Sequence, residues 1–173
     1  MISATGTGKT YLSAFDVKKV KAKTLLFLVH RRTIVETALK TFKTLFGNEI
    51  EMGLFSGQSR ELDADYLFST VQTISKRENL ELFNQNHFDY IVIDETHRAG
   101  AKSYLSVINY FNPKFLLGMT ATPERTDGVD VFNLFDYNLA YEIRLNDALE
   151  EKMLSPFHYY GVCDLTVNGE QID

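Results

Sequence analysis

A glycine loop in the first ten residues constrains the fold of this chain more than any other stretch. Residues 3–10 read Ser-Ala-Thr-Gly-Thr-Gly-Lys-Thr. Because Gly6 and Gly8 have no Cβ, the backbone can curl tightly and direct successive N–H groups into one concave site for an anion. A helix that begins here would direct its positive end at the same site, which suits a phosphate group. The alternative is a glycine-rich turn that only leads into a helix.

The loop fits the pattern of a nucleotide phosphate loop except at its first position, where that pattern has glycine and this chain has Ser3. Lys9 supplies a mobile positive charge for the β- and γ-phosphates, and the hydroxyl of Thr10 supplies a ligand for Mg²⁺. We therefore predict that the phosphates of a nucleotide are held by one stretch: Ala4, Thr5, Gly6, Thr7, Gly8, Lys9 and Thr10.

Apolar runs of strand length alternate with amphipathic helical segments in the rest of the chain. Strands are predicted at 25–29, 52–55, 65–69, 90–93, 115–119 and 139–143, with a strand-like segment at 157–162. Helices are predicted at 9–22, 33–46, 104–111, 129–135 and 145–154, with a further helix that ends near residue 83. The alternation predicts an α/β domain with a mainly parallel sheet and right-handed crossovers. Ligands of such sheets lie at the carboxyl ends of the strands, where the polar motifs of this chain fall.

Two carboxylates follow the apolar run at residues 90–93. Mg²⁺ held by Thr10 alone would be poorly fixed, and Asp94 is suited to complete its coordination through water. Glu95 is suited to orient or deprotonate an attacking water. An Asp-Glu pair after an apolar strand is by itself more often a solvated turn, but the glycine loop upstream favours a nucleotide site.

Charge is unevenly distributed along the chain. Residues 1–45 contain nine Lys or Arg and two acidic residues, a balance of +7, so residues 46–173 carry −12 and the net charge is −5. The basic part can bind a polyanion locally, although the domain as a whole would not attract one strongly. For the lysines within residues 18–23, a solvated helix face is an equally good interpretation.

The composition predicts a soluble domain inside the cell. Hydrophobic residues make up 45% of the 173 residues, which is enough for a full core. The single cysteine, Cys163, cannot form an internal disulfide, and this favours a reducing compartment. The apolar runs are too short to span a bilayer and no signal-type segment follows Met1, so we predict a cytoplasmic protein with no membrane partner.

Five segments resemble, in order, the motifs of superfamily 2 helicases and translocases. Residues 3–10 resemble motif I, residues 29–32 motif Ia, residues 69–72 motif Ib, residues 94–97 the Asp-Glu-x-His box, and residues 118–123 motif III with its Thr-Ala-Thr core. The order of all five makes the resemblance specific. It is closest to the DEAD/DEAH-type helicase modules related to type III restriction subunits.

The resemblance implies a three-layer RecA-like P-loop domain that binds ATP with Mg²⁺. The roles it implies are catalysis by Lys9, Asp94 and Glu95, metal binding by Thr10 and Asp94, coupling of nucleotide state to movement by His97, Thr120 and Thr122, and nucleic-acid backbone contact by Arg31, Ser69 and Thr70. Arginine and hydroxyl donors suit phosphate oxygens, which carry no base information. The alternatives are a surface role for His97 and a solvent-facing helix start for Arg31 and Arg32.

Residues 1–154 are predicted to form the first RecA-like domain, with an incomplete N-terminal strand because only Met1 and Ile2 precede Ser3. Residues 155–173 are predicted to be a linker or the opening of a second domain, so we expect a domain truncated at both ends. The resemblance implies a second RecA-like domain of the same protein, whose arginines contribute about 10³–10⁵ in rate in related phosphohydrolases. We therefore expect the isolated chain to bind Mg·ATP weakly and to hydrolyse it little.

The resemblance further implies an ATP-driven motor on nucleic acid, and family analogy favours DNA over RNA and a role in restriction, defence or repair. The alternative is a nucleotide-gated regulatory or nucleic-acid-binding module without productive translocation. The intact Glu95 favours the motor, because a pure switch could lose it. A small-molecule kinase is disfavoured, because it has no obvious place for the His97 box and the turn at residues 120–122.

Overall fold

The computed structural model describes residues 1–96, 102–122 and 132–155, together with the backbone of two short strands at 166–167 and 170–171. The helices are α1 (Lys9–Val20), α2 (Arg32–Phe46), α3 (Val71–Ile74), α4 (Arg77–Leu80), α5 (Lys102–Tyr110) and α6 (Leu145–Glu150). The strands are β1 (Ile2–Ser3), β2 (Leu25–Val29), β3 (Met52–Ser56), β4 (Ser59–Arg60), β5 (Tyr66–Thr70), β6 (Tyr90–Asp94), β7 (Phe115–Met119), β8 (Glu142–Ile143), β9 (Thr166–Val167) and β10 (Glu170–Gln171). A 3₁₀ helix covers Phe132–Phe135.

Six strands form the central sheet in the order β4-β3-β5-β2-β6-β7. Neighbouring strands are parallel except β3 and β4, which form an antiparallel hairpin. β2 has the sequence Leu-Leu-Phe-Leu-Val and is buried along its whole length, as expected for a strand that is covered on both faces. The predicted α/β domain with a mainly parallel sheet is confirmed.

Helices pack on both faces of the sheet, which gives three layers. α1 and α2 cover one face, where the ring of Phe42 lies 5.6 Å from that of Phe27 and 5.1 Å from that of Phe68. α3 and α5 cover the other face, where Ile74 and Val107 are fully buried. None of the helices in the described ranges has the length and apolar character needed to cross a membrane.

The short strand β1 joins the edge of the sheet beside the exit of β7. Ile2 forms a parallel bridge with Thr120, and β1 pairs in parallel with β8 on its other side. The N–H of Ser3 donates to the carbonyl of Thr120 (2.9 Å), and the N–H of Ala4 donates to that of Ile143 (3.1 Å). Two residues of strand are therefore enough to place the glycine loop at the carboxyl edge of the sheet.

Several elements differ from the sequence prediction. The helix expected to end near residue 83 is two short helices, α3 and α4, because Lys76 between them is extended (φ −68°, ψ 134°). The side chain of Asn79 donates to the carbonyl of Thr73 (2.6 Å) across this break. The β3–β4 hairpin is absent from the prediction, and α6 ends at Glu150 rather than at residue 154. The predicted helix at 129–135 is a 3₁₀ helix over its described residues, Phe132–Phe135, whereas its first three residues and the predicted strand-like segment at 157–162 lie outside the described residues.

Candidate nucleotide site

Two left-handed glycines shape the loop between β1 and α1, as the sequence prediction of a tightly curled loop requires. Gly6 and Gly8 have φ angles of +88° and +81°, in the left-handed region that favours glycine. α1 begins directly after the loop, so the positive end of the helix faces it. The hydroxyl of Thr7 donates to the carbonyl of Ala4 (2.7 Å) and shares a 2.5 Å hydrogen bond with the hydroxyl of Ser3. These two bonds brace the loop from within.

The ammonium of Lys9 lies against this loop. Its Nζ donates to the carbonyl oxygens of Ser3 (3.0 Å) and Ala4 (3.1 Å). The charge thus lies at the start of the loop, and a phosphate bound in the loop would compete with these carbonyls for the hydrogen bonds of the ammonium. Thr10 is partly exposed on the first turn of α1, and Thr5 is exposed at the tip of the loop. The loop residues predicted to hold phosphates are therefore brought together.

Asp94 ends β6, opposite Met119 at the end of β7, and is 7% exposed. Burial, and after it the charge of Glu95, raises the pKa of Asp94 from 3.8 to about 6. A hydrogen bond from the Glu95 N–H (3.0 Å) and the positive charge of Lys9 act in the opposite direction. Asp94 is paired with Met119, and the N–H of Ser3 donates to the carbonyl of the next residue, Thr120, so the glycine loop and the exit of β6 flank the end of β7.

Glu95 has a backbone φ of +58°, an uncommon angle for a residue with a side chain. Such left-handed residues cost of order 1 kcal/mol and concentrate at functional sites. The angle turns the chain sharply at the end of β6, so that Asp94 stays buried while Glu95 is partly exposed. The two adjacent carboxylates consequently have different environments, as a metal ligand and a water-orienting group would need.

The end of β7 packs against Thr96 of the Asp-Glu-x-His segment. Thr96 and Thr120 are both almost fully buried. A Cβ placed on Gly118 would lie 2.7 Å from Thr96 Cγ2 and 2.4 Å from the ring of Phe135, so only glycine allows this approach. Thr120 Oγ1 accepts a hydrogen bond from the N–H of Thr122 (3.1 Å), whose side chain is exposed. His97, which was predicted to act with these threonines, lies outside the described residues.

Two of the described side chains, Thr10 and Asp94, are of the types that could bind a metal ion at this site. The described ranges contain no group of three or more His, Cys, Asp or Glu side chains that could hold a metal. Mg²⁺ in nucleotide sites is usually bound by one or two carboxylates together with substrate phosphates. Thr10 and the buried Asp94 fit that donor set.

The residues predicted to contact nucleic acid separate into exposed and buried groups. Arg31 is exposed and extended (φ −121°, ψ 139°) at the start of α2. Ser69 is fully buried in β5, and its hydroxyl donates to the carbonyl of Phe55 (2.7 Å). A nucleic-acid contact by Ser69 does not fit this placement, because its polar atom bonds within the sheet. Thr70 is nearly as buried, and its hydroxyl bonds to that of Thr73 (2.9 Å).

A pair of side chains that the prediction did not single out connects the exits of β2 and β5. Gln72 Nε2 lies 2.7 Å from His30 Nδ1, and Gln72 is exposed. Since Val29 and Thr70 are in register, the residues that follow these strands meet at one edge. Both residues belong to the segments that resemble motifs Ia and Ib, so the motif order could have indicated their proximity but not their hydrogen bond.

Residues 1–125 match the family model described as type III restriction enzyme, res subunit. The chain belongs to this family. The match covers the five motif segments of the sequence, and it confirms their resemblance to the restriction-subunit type of superfamily 2 helicase.

Two curated relatives and one solved structure are similar to this res-subunit family member. It is 31% identical over 169 residues to the EcoAI type I restriction endonuclease subunit of Escherichia coli, covering 91% of this chain and 20% of that subunit. It is 34% identical over 140 residues to the DNA 3′–5′ helicase XPB of Mycobacterium tuberculosis, covering 75% of this chain and 24% of the relative. A nuclease-deletion mutant of the type ISP restriction–modification enzyme LlaGI, in complex with a DNA substrate mimic, gives a TM-score of 0.66 at 19% identity, covering 88% of this chain and 18% of that one.

The chain therefore spans between about a fifth and a quarter of the length of these proteins. The likeness to LlaGI concerns the fold, and it confirms the RecA-like α/β class predicted from the sequence. The family membership makes this a helicase-type domain.

Proposed function

We propose that this chain is the ATP-binding lobe of a nucleic-acid motor that couples Mg²⁺-dependent ATP hydrolysis to movement on DNA. The observation that carries the proposal is the placement of the glycine loop and the exit of β6 on either side of the end of β7, where Asp94 pairs with Met119 and Ser3 bonds to Thr120. A phosphate loop and an acidic anchor at adjacent positions are the two halves of a site for a metal–nucleotide complex.

The chain supplies a binding group for each part of that complex. The N–H groups of residues 4–10 and the ammonium of Lys9 would bind the phosphates. Thr10 and Asp94 would hold Mg²⁺, which neutralises charge on the phosphates when it is bound. Glu95 would orient the attacking water or accept its proton, a task for which its position beside the buried Asp94 suits it.

The turn after β7 would transmit the state of the nucleotide. The carbonyl of Thr120 accepts a hydrogen bond from Ser3 in β1, the strand that leads into the glycine loop. A shift of the loop on binding a nucleotide would therefore move Thr120, and with it Thr122, whose N–H is bonded to the Thr120 side chain. His97 is included in this role on the family resemblance alone.

DNA is the proposed track. The relative XPB is named a DNA 3′–5′ helicase, and the LlaGI structure holds a DNA substrate mimic. Arg31 is exposed at the carboxyl edge of the sheet, where its guanidinium would bind a phosphate of the backbone. Thr70 lies at the same edge, but its hydroxyl would have to exchange its bond with Thr73 for one with DNA.

The rest of the motor is proposed to be a second RecA-like domain of the same protein. Residues 1–154 would form the first domain, and residues 155–173 would be a linker or the start of the second. Since the second domain supplies arginines to the transferring phosphoryl group in such motors, the 173-residue chain alone should turn over ATP slowly. A cytoplasmic location and a role in restriction, defence or repair complete the proposal.

Replacement of Glu95 by Gln in the full-length protein tests this function. The change removes the proton acceptor but preserves the size of the side chain, so ATP hydrolysis should fall by about 10²-fold or more. Binding of Mg·ATP should stay within about threefold of the wild type, because the phosphate ligands are intact. Steady-state hydrolysis with and without DNA, and titration with a non-hydrolysable ATP analogue, measure the two effects separately.

Two further variants serve as references. Glu49→Gln, in the exposed turn after α2, should keep wild-type hydrolysis. Lys9→Ala should lose nucleotide binding itself. Unchanged hydrolysis in Glu95→Gln would remove Glu95 from its role, whereas equal nucleotide binding by the wild type and Lys9→Ala would overturn the nucleotide site.

A further inference from the structure

A small apolar cluster supports the glycine loop from behind. Ala4 at the start of the loop, Ile143 of β8 and Ala148 of α6 are buried together, and Leu154 packs against them. The N–H of Ala4 donates to the carbonyl of Ile143 (3.1 Å), which fixes the spacing between β1 and β8. The segment from β8 to residue 154 is thus in direct contact with the loop.

The end of this segment is held in place by its own hydrogen bonds. The N–H groups of Met153 and Leu154 both donate to the carbonyl of Ala148, at 2.9 and 3.2 Å. This turn brings the Leu154 side chain over the loop, where a Cβ added to Gly6 would lie 3.1 Å from Leu154 Cδ2. Leu154 therefore packs close to Gly6, one of the two loop glycines whose backbone angles are not restricted by a Cβ.

We infer that Leu154 is a positioning residue for the phosphate loop, and that its contact keeps Gly6 in the left-handed conformation that the anion site requires. The inference rests on the nucleotide-binding function proposed above. Glycine populates positive and negative φ with similar ease, so a loop glycine without a neighbour samples conformations in which the N–H groups diverge. The apparent affinity for a ligand falls in proportion to the fraction of molecules in the competent conformation. Leu154 would act through Gly6, without touching the nucleotide.

Leu154→Ala in the full-length protein tests the inference. It should raise KM for Mg·ATP and the Kd of Mg·ADP by about three- to tenfold, while kcat at saturating ATP stays within about twofold, because the catalytic groups are intact. Amide hydrogen exchange of residues 4–8 should be faster in the nucleotide-free variant. Leu154→Met, which keeps a flexible apolar side chain, should restore both measurements.

Met153→Ala is the matched control. Met153 is the neighbour of Leu154 on the same turn, and its side chain is 46% exposed. This variant should match the wild type in KM, Kd and loop exchange. Circular dichroism melts of all variants would show that each is folded.

The outcomes separate the inference from the function on which it rests. Wild-type KM and loop exchange in Leu154→Ala, or equal losses in Met153→Ala, would overturn the role of Leu154 and leave the nucleotide site standing. A wild-type protein that binds Mg·ADP no better than Lys9→Ala would overturn the proposed function and the inference with it.

Discussion

Asp94 is an ionisable carboxyl in an almost completely buried position, and the folded protein is destabilised by its charge at neutral pH. Its pKa is raised from 3.8 to about 6, mainly by burial. Between these two values the folded chain holds a proton that the unfolded chain has released, so stability falls as the pH rises through this window. A difference of about two pKa units corresponds to roughly 3 kcal/mol. The full penalty is present above pH 6 and absent below pH 3.8.

Asp94→Asn should remove this penalty. The amide is neutral and its Oδ1 can still accept the N–H of Glu95, so the metal-free variant should be more stable than the wild type at pH 7.5, by up to about 3 kcal/mol. At pH 4.5 the two proteins should differ by much less. Urea unfolding followed by circular dichroism at both pH values measures the difference. Asp65→Asn, at an exposed position, should show little of this gain, and an Asp94→Asn variant less stable than the wild type at pH 7.5 would contradict the prediction.

The types of residue in the candidate site could be predicted from the sequence, but their environments could not. The order of the motifs among strands and helices predicts that Lys9, Asp94 and Glu95 converge, and the glycine loop and Asp94 lie on either side of the end of β7. The motif pattern does not say which face of a strand a side chain occupies. The motif therefore could not show that Ser69 is buried in the core rather than exposed as a donor. The left-handed backbone angle of Glu95 was equally unpredictable, because glutamate does not favour such angles.

Strand β7 shows how an element positions the site. Its fourth residue is Gly118, whose missing side chain lets both Thr96, which follows β6, and Phe135 of the 3₁₀ helix pack close to the strand. The continuous apolar run made β7 predictable to the residue. The contact with Phe135 was not predictable, because it depends on a partner seventeen residues away with no periodic pattern of its own.

Gly118→Ala should therefore disturb the packing beneath Thr96, which directly follows Asp94 and Glu95. The added methyl group would lie 2.4 to 2.8 Å from atoms of Phe135 and Thr96, so the free energy of unfolding should fall by about 1–3 kcal/mol. Thermal and urea unfolding measure the loss. Gly118→Ala should cost less stability when it is introduced into the Phe135→Ala variant than when it is introduced into the wild type, because one of the two clashing side chains is then absent. Equal losses from Gly118→Ala in both backgrounds would show that the ring is not the obstacle.

At the scale of the whole molecule, charge is separated between one helix layer and the rest. Residues 1–45, which form most of the α1–α2 layer, carry +7, whereas residues 46–173 carry −12. Charge alone would allow DNA to bind anywhere on this layer. The topology is more selective, because Arg31 lies at the carboxyl edge with the glycine loop, while the lysines at the ends of α1 and α2 lie at the opposite edge.

DNA could bind anywhere on the basic layer or only along the carboxyl edge of the sheet. Arg31 and Lys43 lie at opposite ends of α2, so replacing each in turn distinguishes these two possibilities. Twelve residues at 1.5 Å each separate them by about 18 Å, roughly twice the Debye length at physiological ionic strength. If DNA runs along the carboxyl edge, Arg31→Ala in the full-length protein should weaken DNA binding and reduce the slope of log K against log salt by about 1. Lys43→Ala removes the same formal charge and should leave both quantities near those of the wild type. Fluorescence anisotropy with a labelled duplex at several salt concentrations measures both the affinity and the salt slope. Equal effects of the two substitutions would mean that the basic layer attracts DNA through its net charge and not through a defined contact at the strand exits.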